Sequence, residues 1–309
     1  MTYKHKDLLG LRELSKDEIL YFLDSAVKFK ELNLKSVKKS DALRGKTVIN
    51  AFFENSTRTR ISFETAAKRL GADAINFSAS QSSTKKGETL IDTIHNMEAM
   101  KTDIFVVRHE CSGSAKFIAD NSDASIVNAG DGLGEHPTQG LLDLFTIREH
   151  KGKLEGLNVA IIGDIEHSRV ARSDIFAMKK FGINVKLFGP AMMMPNRADV
   201  FECEIAKNME DAVRDSDAII MLRVQLERQG LSTPFPSNRE YSKFFGLNKK
   251  RLELANYPLV MHPGPINRGV ELNSDVADGK CSLVLNQVEN GVAIRMAVLD
   301  ILNKNRENL

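Results

Sequence analysis

The sequence predicts an α/β protein made of two doubly wound parallel-sheet domains, with a terminal helix packing back on the first. Strand-length apolar runs rich in Val and Ile alternate with helix-length periodic segments through almost all of the 309 residues. The runs fall into two groups, separated by a long helical segment and the break Lys151-Gly152-Lys153. The length suits two domains with real cores.

The elements follow in order. Residues 16–32 read as a helix. Buried strands are expected at 48–53, 74–77, 104–107 and 125–128. Between them Leu90, Ile94 and Met97 share a helical face. A helix over 138–150, with Leu141, Leu144 and Phe145 on one side, marks the joint. The second group of strands is 159–162, 185–188, 218–222 and 259–261, and Val170, Phe176 and Phe181 line an intervening helix. The polar segment 228–243 carries Pro234 and Pro236 and reads as a long loop. The chain closes on a helical stripe of Val288, Val292, Met296, Leu299 and Leu302. The expected domains are 1–137 together with 288–309, and 138–287.

Charge is nearly balanced, with 43 basic and 41 acidic residues and a formal net of +2. This argues against a nucleic-acid partner or a polybasic membrane anchor. No apolar run approaches the ~20 residues of a membrane helix. Lys4, His5 and Lys6 ahead of Leu8-Leu9 do not resemble a signal peptide. Cys111, Cys203 and Cys281 are widely spaced, without a C-x-x-C pair, so no disulfide frame or zinc site is expected. The expectation is a reduced, cytoplasmic enzyme without a metal.

In open parallel sheets ligands bind beyond the carboxyl ends of the strands, and polar clusters fall there. After 48–53 comes Glu54-Asn55-Ser56-Thr57-Arg58-Thr59-Arg60. Hydroxyls and guanidinium groups at a helix start describe an anion site, most naturally for phosphate. After 74–77 comes a Ser-rich stretch with Ser82, Lys85, Lys86 and Gly87. Arg108-His109-Glu110 follows 104–107. Gly130-Asp131-Gly132-Leu133-Gly134-Glu135-His136-Pro137-Thr138-Gln139 follows 125–128. Its glycines are read as allowing close approach to a ligand, and His136 and Gln139, three apart at a helix start, face one point. Gly163-Asp164 lacks the second glycine of a dinucleotide loop, which discounts a nicotinamide cofactor. Arg169 opens the next helix and suits a carboxylate. Arg223 and Gln225 alternate after 218–222. His262-Pro263-Gly264-Pro265 makes a stiff bend with outward carbonyls, where a cis bond before Pro265 is expected.

Taken as an ordered set from about residue 47 to 295, these stretches resemble the aspartate/ornithine carbamoyltransferase family. The resemblance implies that the first domain binds carbamoyl phosphate and the second L-aspartate, and that no metal or organic cofactor is used. It also implies a homotrimer with active sites at subunit borders, into which Ser82 and Lys86 of a neighbour reach. Ser56, Thr57, Arg58 and Thr59 would hold the phosphate, with Arg108 and Lys86 adding charge. Thr59, Arg108 and His136 would donate to the carbamoyl oxygen. Gln139 and the backbone at Pro263 and Gly264 would hold the carbamoyl nitrogen. Arg169, Arg223, Gln225 and Lys86 would bind the two carboxylates of aspartate. The implied reaction gives N-carbamoyl-L-aspartate and phosphate, an early step of de novo pyrimidine biosynthesis. The alternative is another amine such as ornithine, which would need an acidic partner and whose enzymes typically carry a Cys after the His of the 262–265 bend. The sequence leaves open whether a regulatory chain or a dihydroorotase binds this protein.

Overall fold

The computed structural model describes residues 3–78, 88–224 and 237–307. The element order is α1 (Lys16–Leu34), β1 (Thr47–Phe52), α2 (Thr57–Arg69), β2 (Asp73–Ser78), α3 (Leu90–Ala99), β3 (Ile104–His109), α4 (Ser114–Ala119), β4 (Ser125–Asp131) and α5 (Pro137–Lys151). It continues with β5 (Asn158–Ile162), α6 (Arg169–Lys180), β6 (Asn184–Phe188), β7 (Glu204–Ile205), α7 (Met209–Val213), β8 (Ala218–Met221), α8 (Asn238–Phe245), α9 (Lys249–Leu254), β9 (Leu259–Met261), α10 (Ser274–Ala277) and α11 (Val284–Glu307). The chain divides into two compact units, Met1–Leu142 with Glu289–Leu309, and Asp143–Val288.

In the first unit the described strands form a parallel sheet in the order β2-β1-β3-β4. Its core packs Ile49, Ala51, Phe105, Val107 and Ile126 against Ile94 and Met97 of α3 and Ile118 of α4. The helices start where local chemistry tells them to. Ser15 and Glu18 close a capping box on α1, and Thr89 and Asp92 do the same on α3. The last helix belongs to this unit from Glu289 onward: Arg295 Nη1 donates to Ser62 Oγ on α2 at 2.7 Å, and Asp300 takes Lys28 of α1 at 2.9 Å. Met296, Leu299 and Leu302 are fully buried as the stripe predicts, but Val288 is exposed. The apolar stripe begins one turn later than the sequence indicates.

The second unit has the parallel order β7-β6-β5-β8-β9. Its core joins Ile162, Ile219, Met221 and Val260 to Met209, Leu252, Leu272 and Val276. The short elements β7, α7, α9 and α10 were not expected from the sequence, and one expected loop is helical. The strand β7 is two residues long and exposed, too short to leave a periodic signal. Residues 238–243, read as loop, lie in α8: Ser237 caps it by accepting the Glu240 amide at 3.1 Å. The Pro234 and Pro236 signal upstream masked that Ser-x-x-Glu start.

Each sheet has one place where chain connections leave in opposite directions. In the first unit this is between β1 and β3, and in the second between β5 and β8. Such switch points open a crevice at the carboxyl edge of the sheet.

Candidate active site

At the first switch point Arg108, next to last in β3, stands opposite Phe52 of β1, and its carbonyl accepts the Phe53 amide at 2.8 Å. This brings the chain leaving β1 alongside Arg108 just before α2 begins. Ser56 precedes α2 in extended conformation, φ −157° and ψ 90°, and its hydroxyl makes no capping hydrogen bond. The first turn holds no acidic residue and carries Arg58 and Arg60 instead. Cations are disfavoured at the positive end of a helix dipole, and the first amides of a helix have no partner inside it. An anion bound there satisfies both. Thr57 and Arg58 are exposed, and Ser56 and Thr59 are half-buried.

Two carboxylates that sequence reasoning missed frame this site. Glu54 Oε1 lies 3.4 Å from Arg108 Nη2, both side chains being largely buried, while Arg108 Nη1 donates to the Ala129 carbonyl at 3.1 Å. Arg108 is thereby held between the ends of β1 and β4. Asp131 is the second. Its Oδ1 accepts Asn128 Nδ2 and the Glu135 amide, each at 2.9 Å, and its Oδ2 accepts the Gly113 amide at 2.6 Å. Glu135 in turn accepts the Leu11 and Arg12 amides at 2.7 and 3.2 Å. The acids of this loop are spent on backbone amides.

Two of the loop's glycines, Gly132 and Gly134, are required by the protein's own atoms. Gly132 has φ +45°, and a Cβ there would lie 2.5 Å from the Ser112 amide nitrogen; at Gly134 it would lie 2.7 Å from Asp131 Oδ1. The bend delivers His136 and Gln139, both buried, to the start of α5, where the His136 carbonyl accepts the Gln139 amide at 2.9 Å. His109 packs on Phe53, and burial holds its imidazole below the ordinary pKa, so the ring stays neutral and accepts the Cys111 amide at 2.9 Å.

At the second switch point Gly163 leaves β5 with φ +133°, and a Cβ there would meet Leu222 Cβ at 2.9 Å. Its glycine serves the approach of β5 to the chain after β8. Asp164 accepts the His167 amide and ring nitrogen at 3.1 and 2.9 Å, and Ser168 caps α6 by accepting the Ala171 amide. Arg169 is thus the first residue of α6, and it is buried despite its charge. Arg223 follows β8, half-buried.

Beyond β9, the 262–265 bend contains a cis Gly264–Pro265 bond, as the sequence suggests. Its brace is His262, which has no exposed side-chain surface. Nδ1 accepts the Gly264 amide at 2.7 Å, so the ring proton sits on Nε2, which donates to Glu271 Oε1 at 3.1 Å. Gln287 accepts the His262 amide at 2.9 Å and donates to Asp143 Oδ1 at 2.6 Å. Asp174, fully buried, lies against Asp143. Burial first, and the neighbouring carboxylate second, push the Asp174 carboxyl well above its usual range.

The structure therefore gathers Ser56, Thr57, Arg58, Thr59, Arg108, His136 and Gln139 at one sheet edge of the first unit. It places Arg169, Arg223, Pro263 and Gly264 at the corresponding edge of the second. Ser82, Lys86 and Gln225 lie outside the described residues. Among the described residues no group of three or more His, Cys, Asp or Glu side chains is placed to hold a metal ion, and no helix is long and apolar enough to cross a membrane.

Comparison with known proteins decides the family. Residues 6–149 match the model of the aspartate/ornithine carbamoyltransferase carbamoyl-P binding domain, and residues 155–302 match that of the Asp/Orn binding domain. The chain belongs to the aspartate/ornithine carbamoyltransferase family. Within that family it is 71% identical to the aspartate carbamoyltransferase catalytic subunit of Campylobacter concisus, over 99% of this chain and 100% of that protein. The catalytic subunit of the M. jannaschii aspartate transcarbamoylase has a similar structure, with a TM-score of 0.85, 35% identity and coverage of 99% and 100% of the two chains. The Trypanosoma cruzi aspartate transcarbamoylase, solved in complex with carbamoyl aspartate and phosphate, gives a TM-score of 0.87 at 29% identity over 96% of this chain and 95% of that one.

Proposed function

We propose that this chain transfers the carbamoyl group of carbamoyl phosphate to the amine of L-aspartate, the carbamoyltransferase step of pyrimidine biosynthesis. The observation that carries this reading is the full-length 71% identity to an aspartate carbamoyltransferase catalytic subunit. The geometry agrees with it in kind. An anion site at a helix start fits the phosphoryl group, and two arginines at the second sheet edge fit a dicarboxylate. Ornithine would call for an acid there. Of the buried acids beside these loops, Asp164 is bonded to His167, and Glu271 to His262 and Asn267.

In this reading the amine nitrogen attacks the carbonyl carbon, the bond from that carbon to the phosphate oxygen breaks, and the amine proton leaves with the phosphate. Negative charge grows first on the carbonyl oxygen and then on the leaving group. Thr59, Arg108 and His136 donate to the first. Ser56, Thr57, Arg58 and Lys86 hold the second. Gln139 and the Pro263–Gly264 backbone orient the carbamoyl nitrogen, and Arg169, Arg223 and Gln225 hold the acceptor. Donors set in place before charge develops are the main source of the rate. Steady-state assays with aspartate, ornithine and putrescine test the assignment: phosphate release with aspartate alone is expected, and turnover of ornithine without aspartate would end it.

Assembly as a homotrimer with Ser82 and Lys86 entering a neighbour's site fits the sheet edge. No residue of the edge strand β2 is buried, and Ile75 on it and Ile61 on α2 stand about half in solvent. Bare edges are normally protected. Lys86→Ala and Arg223→Ala chains, each inactive alone, should regain activity when mixed; verified mixed trimers that stay inactive would argue against shared sites.

A further inference from the structure

The second unit contains a hydrogen-bonded brace between the segment that carries Arg223, proposed to hold the acceptor, and the Pro263–Gly264 bend, proposed to hold the carbamoyl nitrogen. Val224 directly follows Arg223, and its side chain is buried in a cluster with Met193, Tyr241 and Val270. Its carbonyl accepts Asn267 Nδ2 at 3.0 Å. The backbone amide of the same Asn267 donates to Glu271 Oε1 at 2.6 Å, the oxygen that also takes His262 Nε2. The other nitrogen of His262 takes the Gly264 amide. A continuous path of hydrogen bonds thus runs from the residue beside Arg223, through Asn267, Glu271 and His262, to the bend at Pro263 and Gly264.

Each part of the path is suited to fixing a distance. Glu271 and His262 have no exposed side-chain surface, so water does not compete for their bonds. Asn267 has two rotatable side-chain bonds, and its donor is uncharged, so it ties Val224 in place without adding a cation to a site that must count charges. Hydrophobic packing of Val224 fixes its side chain, but an apolar contact is not directional and does not set where its carbonyl points.

We infer that Asn267 is a positioning residue: it sets the spacing between Arg223, which holds the acceptor, and the Pro263–Gly264 bend, which holds the carbamoyl nitrogen, and so the length of dicarboxylate that fits beside the bound carbamoyl group. The inference rests on the aspartate reading above. Binding and rate depend steeply on such spacings, since a misplacement of about 1 Å can cost about 100-fold.

The test uses the full-length enzyme and the variants Asn267→Ala and Asn267→Asp. The measurements are kcat, the aspartate KM, inhibition constants for malonate, succinate and glutarate, the calorimetric Kd of carbamoyl phosphate without acceptor, and the Tm. The expected result for Asn267→Ala is an aspartate KM raised about 10-fold with kcat changed much less, and weaker discrimination between succinate and glutarate. Asn267→Asp should go further in the same direction, because a carboxylate oxygen then faces the Val224 carbonyl. It keeps the side-chain volume, so it supplies the same readouts if the alanine variant fails to fold. Carbamoyl phosphate affinity should stay at the wild-type value, because the bonds from Glu271 through His262 to Gly264 that hold the bend do not use the Asn267 side chain. A purely structural role would lower Tm and leave the succinate-to-glutarate ratio where it was. That ratio unchanged in a folded variant overturns the inference, as does an equal loss of affinity for carbamoyl phosphate. A wild-type enzyme that ignores aspartate would instead overturn the reading on which it rests.

Discussion

In the first unit the switch point between β1 and β3 is occupied by the start of a helix, whereas in the second the carboxyl edge around β5, β8 and β9 depends on a bend held by buried side chains. The first arrangement is local. Residues 54–60 are consecutive, their hydroxyls and guanidiniums sit on one turn, and the helix dipole supplies the rest. The second is assembled from three segments: Val224, the stretch holding His262, Asn267 and Glu271, and Gln287 meet to hold two loops. A phosphate needs many donors converging on a point, which a helix end provides. A dicarboxylate needs two cations at a set separation, which calls for a scaffold.

That contrast can be broken most forcefully at Arg58. It is exposed at the first turn of α2, so Arg58→Ala should leave stability within about 0.5 kcal/mol while lowering kcat/KM by about 100–1000-fold. Near-normal turnover in a folded variant would refute the phosphate role.

Glu54 tests whether the first site is as self-sufficient as a bare helix start. Glu54→Ala removes the carboxylate that faces Arg108 in a largely buried pair. The freed guanidinium should shift, lowering kcat/KM about 10-fold and weakening carbamoyl phosphate more than aspartate. Equal losses for both substrates would mean that Glu54 supports the fold generally and not Arg108.

The smallest effect expected is at Asp174, in the interior of the second unit. Because Asp174 has a raised pKa in the folded protein, its neutral form is the one that folding favours. Its contribution is full below the ordinary carboxylate pKa of about 3.9 and is lost as pH rises toward the folded value. Asp174→Asn removes that loss. Thermal melts should show the variant gaining on wild type from pH 5 to pH 8, at about 2–4 °C per kcal/mol recovered. A constant difference across that range would mean that the group does not titrate between the folded and unfolded states.

The parts legible in the sequence divide along the same line. The strands of both sheets, apart from β7, and the cluster at Ser56–Arg60 were readable because their signals are periodic or contiguous. The placement of Arg108, His136, Arg169 and Arg223 at the carboxyl edges of the sheets was readable because each directly follows an expected strand or stands at a helix start. Glu54 and Asp131 were not: an acid next to an arginine-rich motif looks like a solvated charge until the fold turns it toward Arg108 or a row of amides. Gly132 and Gly134 carried a true signal with the wrong cause, since the atoms that exclude a Cβ belong to Ser112 and Asp131. The brace through Asn267 and Glu271 had no signal, because its members are individually ordinary and meet only through tertiary structure.

The claim that each unit supplies its own anion-binding half is tested most directly by calorimetry with a bisubstrate analogue bearing one phosphonate and two carboxylates. Tight binding to the wild-type enzyme is expected, with losses of about 100-fold or more in both Arg58→Ala and Arg223→Ala. Wild-type affinity retained in either folded variant would contradict it.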